Sequence, residues 1–172
     1  KTLSEYYRYN IGTYRELVSL REELRNIINY VKIQQYRFDD KFSLEISIRE
    51  EDSECFNYQI LKLTLQPIVE NSIYHAFELS AEKGILKISA ELTGNHLIIT
   101  ISDNGCGIDD ITIEKINHSL LADPTSHTNN IRREDGGSQS GTGIALANVN
   151  NRIKLYFGDD YDDIEAIKNC GT

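Results

Sequence analysis

Two periodicities succeed one another in the first third of this chain, and together they call for a layered fold. Leu20, Leu24, Ile27, Ile28 and Val31 recur at helical spacing. Phe42, Leu44, Ile46 and Ile48 then alternate with polar residues, the period of a half-buried strand. A helix with one apolar stripe has to bury that stripe against a partner, and a one-faced strand has the same need. The helix start is marked by Ser19-Leu20-Arg21-Glu22, a capping box in which hydroxyl and carboxylate satisfy free amides, and the pattern runs to about Phe38. Ahead of it, residues 1–14 are polar and rich in tyrosine and read as the tail of another helix.

The rest of the chain continues the alternation of helix and strand. After an acidic connection from Glu50 to Glu54, Leu65, Ile68, Val69, Ile73, Ala76 and Phe77 mark a second helix. Pro67 falls in its first turn, where a missing amide hydrogen costs little. Gly84 opens a strand over Ile85 to Leu92, Thr93-Gly94-Asn95 is turn chemistry, and Leu97 to Ser102 returns, which predicts a hairpin. Asp109 to Leu121 is expected to be helical. From Ala122 to Gly141 the chain turns polar, and a loop of that length is usually functional or disordered. Thr142 to about Tyr156 carries Ile144, Ala145, Val149 and Ile153 on one side of a last helix, and Ile164 to Ile167 begins a further strand. No internal repeat is visible. The order predicts an α+β fold, a two-layer sandwich with a mixed sheet.

Composition narrows the possible partners. Forty per cent hydrophobic residues suffice for a core in 172 residues, and a net charge of -9 gives no basic surface for a nucleic-acid backbone. The same charge repels an anionic membrane surface, and no apolar run of about 20 residues is present to span a bilayer. Cys55, Cys106 and Cys170 match no zinc spacing, so free thiols in a reducing compartment are expected. The chain begins at Lys1 and contains no methionine, which predicts a piece of a longer protein.

Three constellations carry chemistry. On the second helix, Glu70, Asn71, Tyr74 and His75 lie away from the apolar stripe, with Asn71 and His75 one turn apart. Such a stripe is ordinarily a solvated face; its functional version offers hard oxygen donors to magnesium beside nucleotide phosphates. Asp103-Asn104-Gly105-Cys106-Gly107 stands where a strand ends. Alone it reads as a surface turn; its functional version is a buried carboxylate accepting from an exocyclic amine, with glycines letting backbone approach a flat base. Gly141-Thr142-Gly143 meets a helix start, where free amides and the helix dipole favour phosphate, although a lone glycine pair also suits a flexible linker. The order of the three, and their placement on helix, strand end and helix start, select the functional reading.

These residues resemble the N box and the two glycine boxes of the GHKL ATPase superfamily, whose fold is the Bergerat α/β sandwich. Leu65-Gln66-Pro67-Ile68-Val69-Glu70-Asn71-Ser72-Ile73-Tyr74-His75, with Gly143-Ile144-Ala145-Leu146-Ala147-Asn148-Val149 and Arg152-Ile153, is similar to the LytS/YehU/YesM-type sensor histidine kinases. Leu20 to Leu24, Tyr30 to Gln34 and Arg37-Phe38 resemble the same branch. The resemblance implies residues 1–38 as the end of a helical dimerisation segment with a connecting helix, and residues 39–172 as the ATP-binding domain without its last strand. It implies ATP and Mg2+ as ligands. Asn71 would coordinate magnesium, and Glu70 would orient or activate a group near the γ-phosphate. Asp103 would accept from the adenine amine, and Gly105 and Gly107 would shape the base pocket. Gly141 and Gly143 would offer amides to the phosphates with Thr142 between them. Thr172 would help to bind adenine through water, and Ala122 to Ser140 would form a lid.

The sequence departs from that family in two places. Tyr74 stands where the family carries a basic residue, which removes a phosphate contact or moves it to His75. His75, His96, His118 and His127 match no phosphoacceptor motif, so the piece is expected to bind ATP without completing autophosphorylation alone. Arg132 and Arg133 in the lid and Arg152 on the last helix each have an ordinary solvated or ion-paired reading beside a phosphate role, and Cys106 reads as a small pocket residue. The implied activity is γ-phosphoryl transfer to a histidine and then to the receiver domain of a response regulator. The implied setting is a homodimer on the cytoplasmic side of a bacterial membrane, with no nucleic-acid partner and no membrane contact by this piece. Two alternatives of other kinds are a degenerate nucleotide-binding scaffold and an ATPase that hydrolyses ATP to drive conformational change.

Overall fold

The capping box forms as the sequence predicts and launches the helix that organises the N-terminal half. In a computed structural model that describes residues 2–11, 15–74, 83–94, 96–121 and 141–158, the Ser19 hydroxyl accepts from the Glu22 amide at 3.3 Å. The Glu22 carboxylate accepts from the Ser19 amide at 2.9 Å. The elements in order are α1 (Thr2–Ile11), β1 (Leu17–Ser19), α2 (Leu20–Arg37), β2 (Phe42–Ser47), a 3-10 helix (Glu50–Asn57), β3 (Gln59–Leu61), α3 (Gln66–Ser72), β4 (Gly84–Thr93), β5 (His96–Asp103), α4 (Asp110–Leu121) and α5 (Gly141–Phe157).

The sheet is mixed, as expected. β2 runs parallel to β4, and β4 runs antiparallel to β5, in a three-stranded sheet of order β2-β4-β5. The predicted hairpin is present, and Gly94 adopts φ 61 in its turn, a conformation that favours glycine. Parallel pairing of β2 and β4 requires a crossover, and the intervening chain supplies it with β3 and α3. Three elements went unanticipated. The acidic connection expected from Glu50 to Glu54 lies in the 3-10 helix, and the three-residue strands β1 and β3 pair antiparallel.

Two compact units divide the chain, Lys1–Cys106 and Gly107–Thr172. In the first, Leu20, Leu24, Ile27 and Val31 of α2 share one core with Phe42 of β2, Val69 and Ile73 at α3, Leu86, Ile88 and Ala90 of β4 and Ile101 of β5. The helix that sequence groups with the N-terminal tail is therefore a wall of this core. Cys55 is free and buried and Cys106 is free and exposed, whereas Cys170 lies outside the described residues. In the second unit, α4 and α5 pack together: Asn150 Nδ2 and Lys154 Nζ donate to the Leu120 carbonyl at 2.8 and 2.9 Å. These donors satisfy a carbonyl in the last turn of α4, where helices leave acceptors unpaired. No helix among the described residues is long and apolar enough to cross a membrane.

Candidate functional site

Helix α3 carries the first constellation, and its start is built by a buried carboxylate from α2. Glu23 is fully buried. Its Oε2 accepts from the Leu63 amide and its Oε1 from the Leu65 amide, both at 3.1 Å. Those amides precede α3, so Glu23 serves as its cap in trans, with a negative charge where the helix dipole favours one. Leu63 adopts φ 59, uncommon for a residue with a branched side chain, and the Glu23 bond to its amide helps to hold it there. The Tyr9 hydroxyl donates to the same carboxylate, and burial, then the charge of Glu23, pushes that phenol far above its ordinary value. A buried charge needs such partners, and Glu23 has three.

Within α3 the apolar and polar faces separate as expected. Val69 and Ile73 are buried, Glu70 and Asn71 are half-buried, and Tyr74 is 59% exposed. Pro67 lies in the first turn. After Ser72 the α-helical ladder gives way to a wider π-type turn at Ile73 and Tyr74, a distortion common at functional sites. Glu70 Oε1 accepts from Gln66 Nε2 at 2.7 Å, one turn earlier. Asn71 Nδ2 is buried without a hydrogen-bond partner among the described residues. An orphaned buried amide is costly, so it marks a place where a ligand is wanted. His75, with Ala76 and Phe77 of the expected helix, lies outside the described residues.

The second constellation stands at the end of β5. Asp103 pairs across the strands with Leu86, a fully buried core residue, and follows Ile101 by two, so it shares the helix-covered face of the sheet with α3. Asp103 is exposed, whereas the adenine-binding version called for a buried carboxylate. Its Oδ1 accepts from the Gly105 amide at 3.0 Å, a local turn that fixes the carboxylate at the strand end. Asn104, which sequence reasoning passed over, stitches the hairpin's open end. Its Oδ1 accepts from the Ile85 amide at 2.6 Å, and its Nδ2 donates to the Lys83 carbonyl at 3.3 Å. Gly107, the first residue of the second unit, adopts φ 72, which accounts for a glycine there.

The third constellation also belongs to the second unit. Gly141, Thr142 and Gly143 make the first turn of α5, the position at which backbone amides lack intrahelical partners. The expected lid over 122–140, including His127, Arg132 and Arg133, lies outside the described residues, as do Thr172 and the expected strand at Ile164 to Ile167.

No cluster of three His, Cys, Asp or Glu side chains able to hold a metal ion occurs among the described residues. Magnesium asks for less, since it keeps several waters and takes one or two protein oxygens beside phosphates. Asn71 fits that requirement in kind: rotation of its amide exchanges the orphaned nitrogen for the oxygen. Sequence reasoning missed Glu23 and Gln66 as parts of the site. A signal was present for Glu23, which stands three residues after Leu20 and four before Ile27, and so falls on the apolar stripe itself.

Comparison with known proteins places these features in a family. Residues 57–167 match the family described as histidine kinase-, DNA gyrase B-, and HSP90-like ATPase. Residues 1–42, which include no histidine, match a family described as histidine kinase. The sensor protein LytS of Oceanobacillus iheyensis is 37% identical over 159 residues, covering 92% of this chain and 24% of that protein. The sensor histidine kinase YpdA of Escherichia coli K12 is 34% identical over 158 residues, covering 91% and 24%. A solved structure of the mycobacterial sensor histidine kinase MprB gives a TM-score of 0.46 at 18% identity, over 83% of this chain and 80% of that one. The chain spans about a quarter of the length of the curated relatives it matches.

Proposed function

Since the chain belongs to the histidine kinase-, DNA gyrase B- and HSP90-like ATPase family, we propose that it binds ATP with magnesium and presents the γ-phosphoryl group to a histidine for relay to a response regulator. The relatives named as sensor kinases support the kinase branch over other ATPases of the family. The observation that carries the reading is Asn71, a half-buried residue of α3 next in sequence to Glu70, whose amide nitrogen has no partner among the described residues.

Each residue then has a role. Asn71 holds magnesium, which supplies charge neutralisation to the phosphates when bound. Asp103 accepts from the adenine amine, and Gly105 and Gly107 allow backbone to approach the base. Gly141 and Gly143, with Thr142, offer first-turn amides to phosphate oxygens. Tyr74, and His75 outside the described residues, would take over the phosphate contact of the family's basic residue. Thr172 assists at the adenine. In the transfer, the bond from γ-phosphorus to the ADP oxygen breaks, a phosphorus–nitrogen bond forms to the neutral imidazole, and the N–H proton that the imidazole then gives up passes to solvent water. A nitrogen nucleophile in that form needs no strong base, so Glu70 orients the imidazole instead of deprotonating it. The acceptor histidine lies outside residues 1–42, and the whole protein works as a homodimer with its kinase region on the cytoplasmic side of a bacterial membrane.

The test uses the whole protein that carries this chain, with ATP labelled at the γ-phosphate. The expected product is an acid-labile, alkali-stable phosphoprotein whose label passes to a receiver domain, and it is lost in Asn71→Ala and Asp103→Ala. Label recovered only as inorganic phosphate would make the chain a hydrolytic ATPase.

A further inference from the structure

Gln66 opens α3, is buried, and was part of a motif without an assigned role. Both amide hydrogens donate and the oxygen accepts. Nε2 donates to Glu70 Oε1 at 2.7 Å and to the Tyr6 hydroxyl at 2.6 Å, and Oε1 accepts from Asn26 Nδ2 at 2.6 Å. The orientation is therefore determined: turned over, the amide would set its oxygen against the Glu70 carboxylate and its nitrogen against another amide nitrogen. Its partners come from three helices, Tyr6 from α1, Asn26 from α2 and Glu70 from α3 itself. Rotating Gln66 breaks three hydrogen bonds at once, one of them buried and two part-buried, where such bonds are expensive to lose.

A second contact runs between the same elements. Tyr9 of α1 reaches Glu23, and Glu23 holds the amides of Leu63 and Leu65 that lead into α3. Tyr6 also packs on Tyr30 of α2, with ring centroids 5.8 Å apart. Helix α1 thus meets the start of α3 directly through Tyr6 and Gln66, a path that ends on a Glu70 oxygen, and through Glu23 of α2 by way of Tyr9.

We propose that Gln66 and Tyr6 are positioning residues, which hold the Glu70 carboxylate in its working orientation and make the rate of phosphoryl transfer depend on the seat of α1. This rests on the role given above to Glu70. Neither residue touches the nucleotide, so their loss should slow transfer without weakening ATP binding.

The experiment measures single-turnover transfer and the ATP dissociation constant in the whole protein for Tyr6→Phe, Gln66→Leu, Glu70→Ala and Tyr6→Phe/Glu70→Ala. Tyr6→Phe keeps the ring packing and removes one hydrogen bond, and is expected to slow transfer about fivefold at unchanged ATP affinity. Gln66→Leu is expected to slow it about tenfold or more. In the Glu70→Ala background, Tyr6→Phe should cost nothing further, because its effect acts through that carboxylate. Tyr6→Phe decides the matter even if Gln66→Leu fails to fold. Full-rate transfer by Tyr6→Phe beside a slow Glu70→Ala overturns the positioning role and leaves the role of Glu70 standing. The same loss from Tyr6→Phe with and without Glu70 makes the contact merely structural and also overturns it. A Glu70→Ala protein as fast as wild type removes both readings together.

Discussion

At the scale of single residues, most of the chemistry turns on groups whose hydrogen-bonding capacity is either saturated or left open. Asn71 is an open one: its buried Nδ2 has no partner among the described residues, as with Asn26 Oδ1 and Asn150 Oδ1 elsewhere, and turned over, its amide would offer magnesium an oxygen. Asn71→Ala is therefore expected to abolish most of the magnesium dependence of ATP binding while leaving the fold intact, as read by titration at saturating and zero magnesium. Equal magnesium dependence in the variant would place the ion elsewhere. Glu22 is a saturated one. The Ser19 amide, and then the Ser19 hydroxyl, hold its carboxyl below the ordinary value. A carboxyl depressed in the folded state stabilises the fold above its unfolded value, and that contribution is lost as pH falls through the folded value. Wild type is thus expected to lose more stability than Glu22→Gln on acidification below the ordinary carboxylate range. Urea midpoints taken at neutral and acid pH measure the difference, and equal losses would show that the capping bonds contribute nothing at neutral pH.

At the scale of elements, α2 and the start of α3 decide how the N-box residues are presented. Glu23→Gln keeps the side chain's shape but sets an NH2 group against one of two backbone amides, which leaves a donor unsatisfied at a cost of about 1–3 kcal/mol. A denaturant midpoint should show that loss, and ATP binding should weaken with it because α3 loses its cap; an unshifted midpoint would contradict the capping role. Ile27→Ala removes a fully buried side chain from the wall of the core and is expected to cost about 2–5 kcal/mol. The capping box, the α2 stripe and the hairpin were legible in the sequence because each depends on neighbours a few residues apart, as Ser19 and Glu22 do. The strands β1 and β3 were not, since three residues are too few to display a period. Nor was the network of Glu23, Asn26 and Gln66. Its bonds link residues 40 to 60 positions apart, and nothing local announces which buried polar groups will meet. For Asp103 the sequence marked the place at the strand end but not its exposure, because a carboxylate in an Asp-Asn-Gly turn bonds first to its own backbone.

At the scale of the whole molecule, an acidic chain of net charge -9 has to bind a polyanion, so the attraction cannot come from its overall field. Under the proposed function it comes from local donors: an ion held at Asn71, first-turn amides of α5 and, for the uncharged base, the carboxylate of Asp103. Asp103 ends β5 on the sheet face that α3 covers. Substituting the base-recognition residue therefore separates recognition of adenine from attraction to phosphate. The direct measurement is calorimetric titration of the wild-type chain and of Asp103→Asn with ATP and ADP, with and without magnesium. Wild type is expected to bind ATP with an affinity that responds to magnesium, and Asp103→Asn to weaken both nucleotides about tenfold or more, the worth of one hydrogen bond to a charged group. Equal affinity in Asp103→Asn, with both proteins shown to be folded, would contradict the placement of adenine at the end of β5.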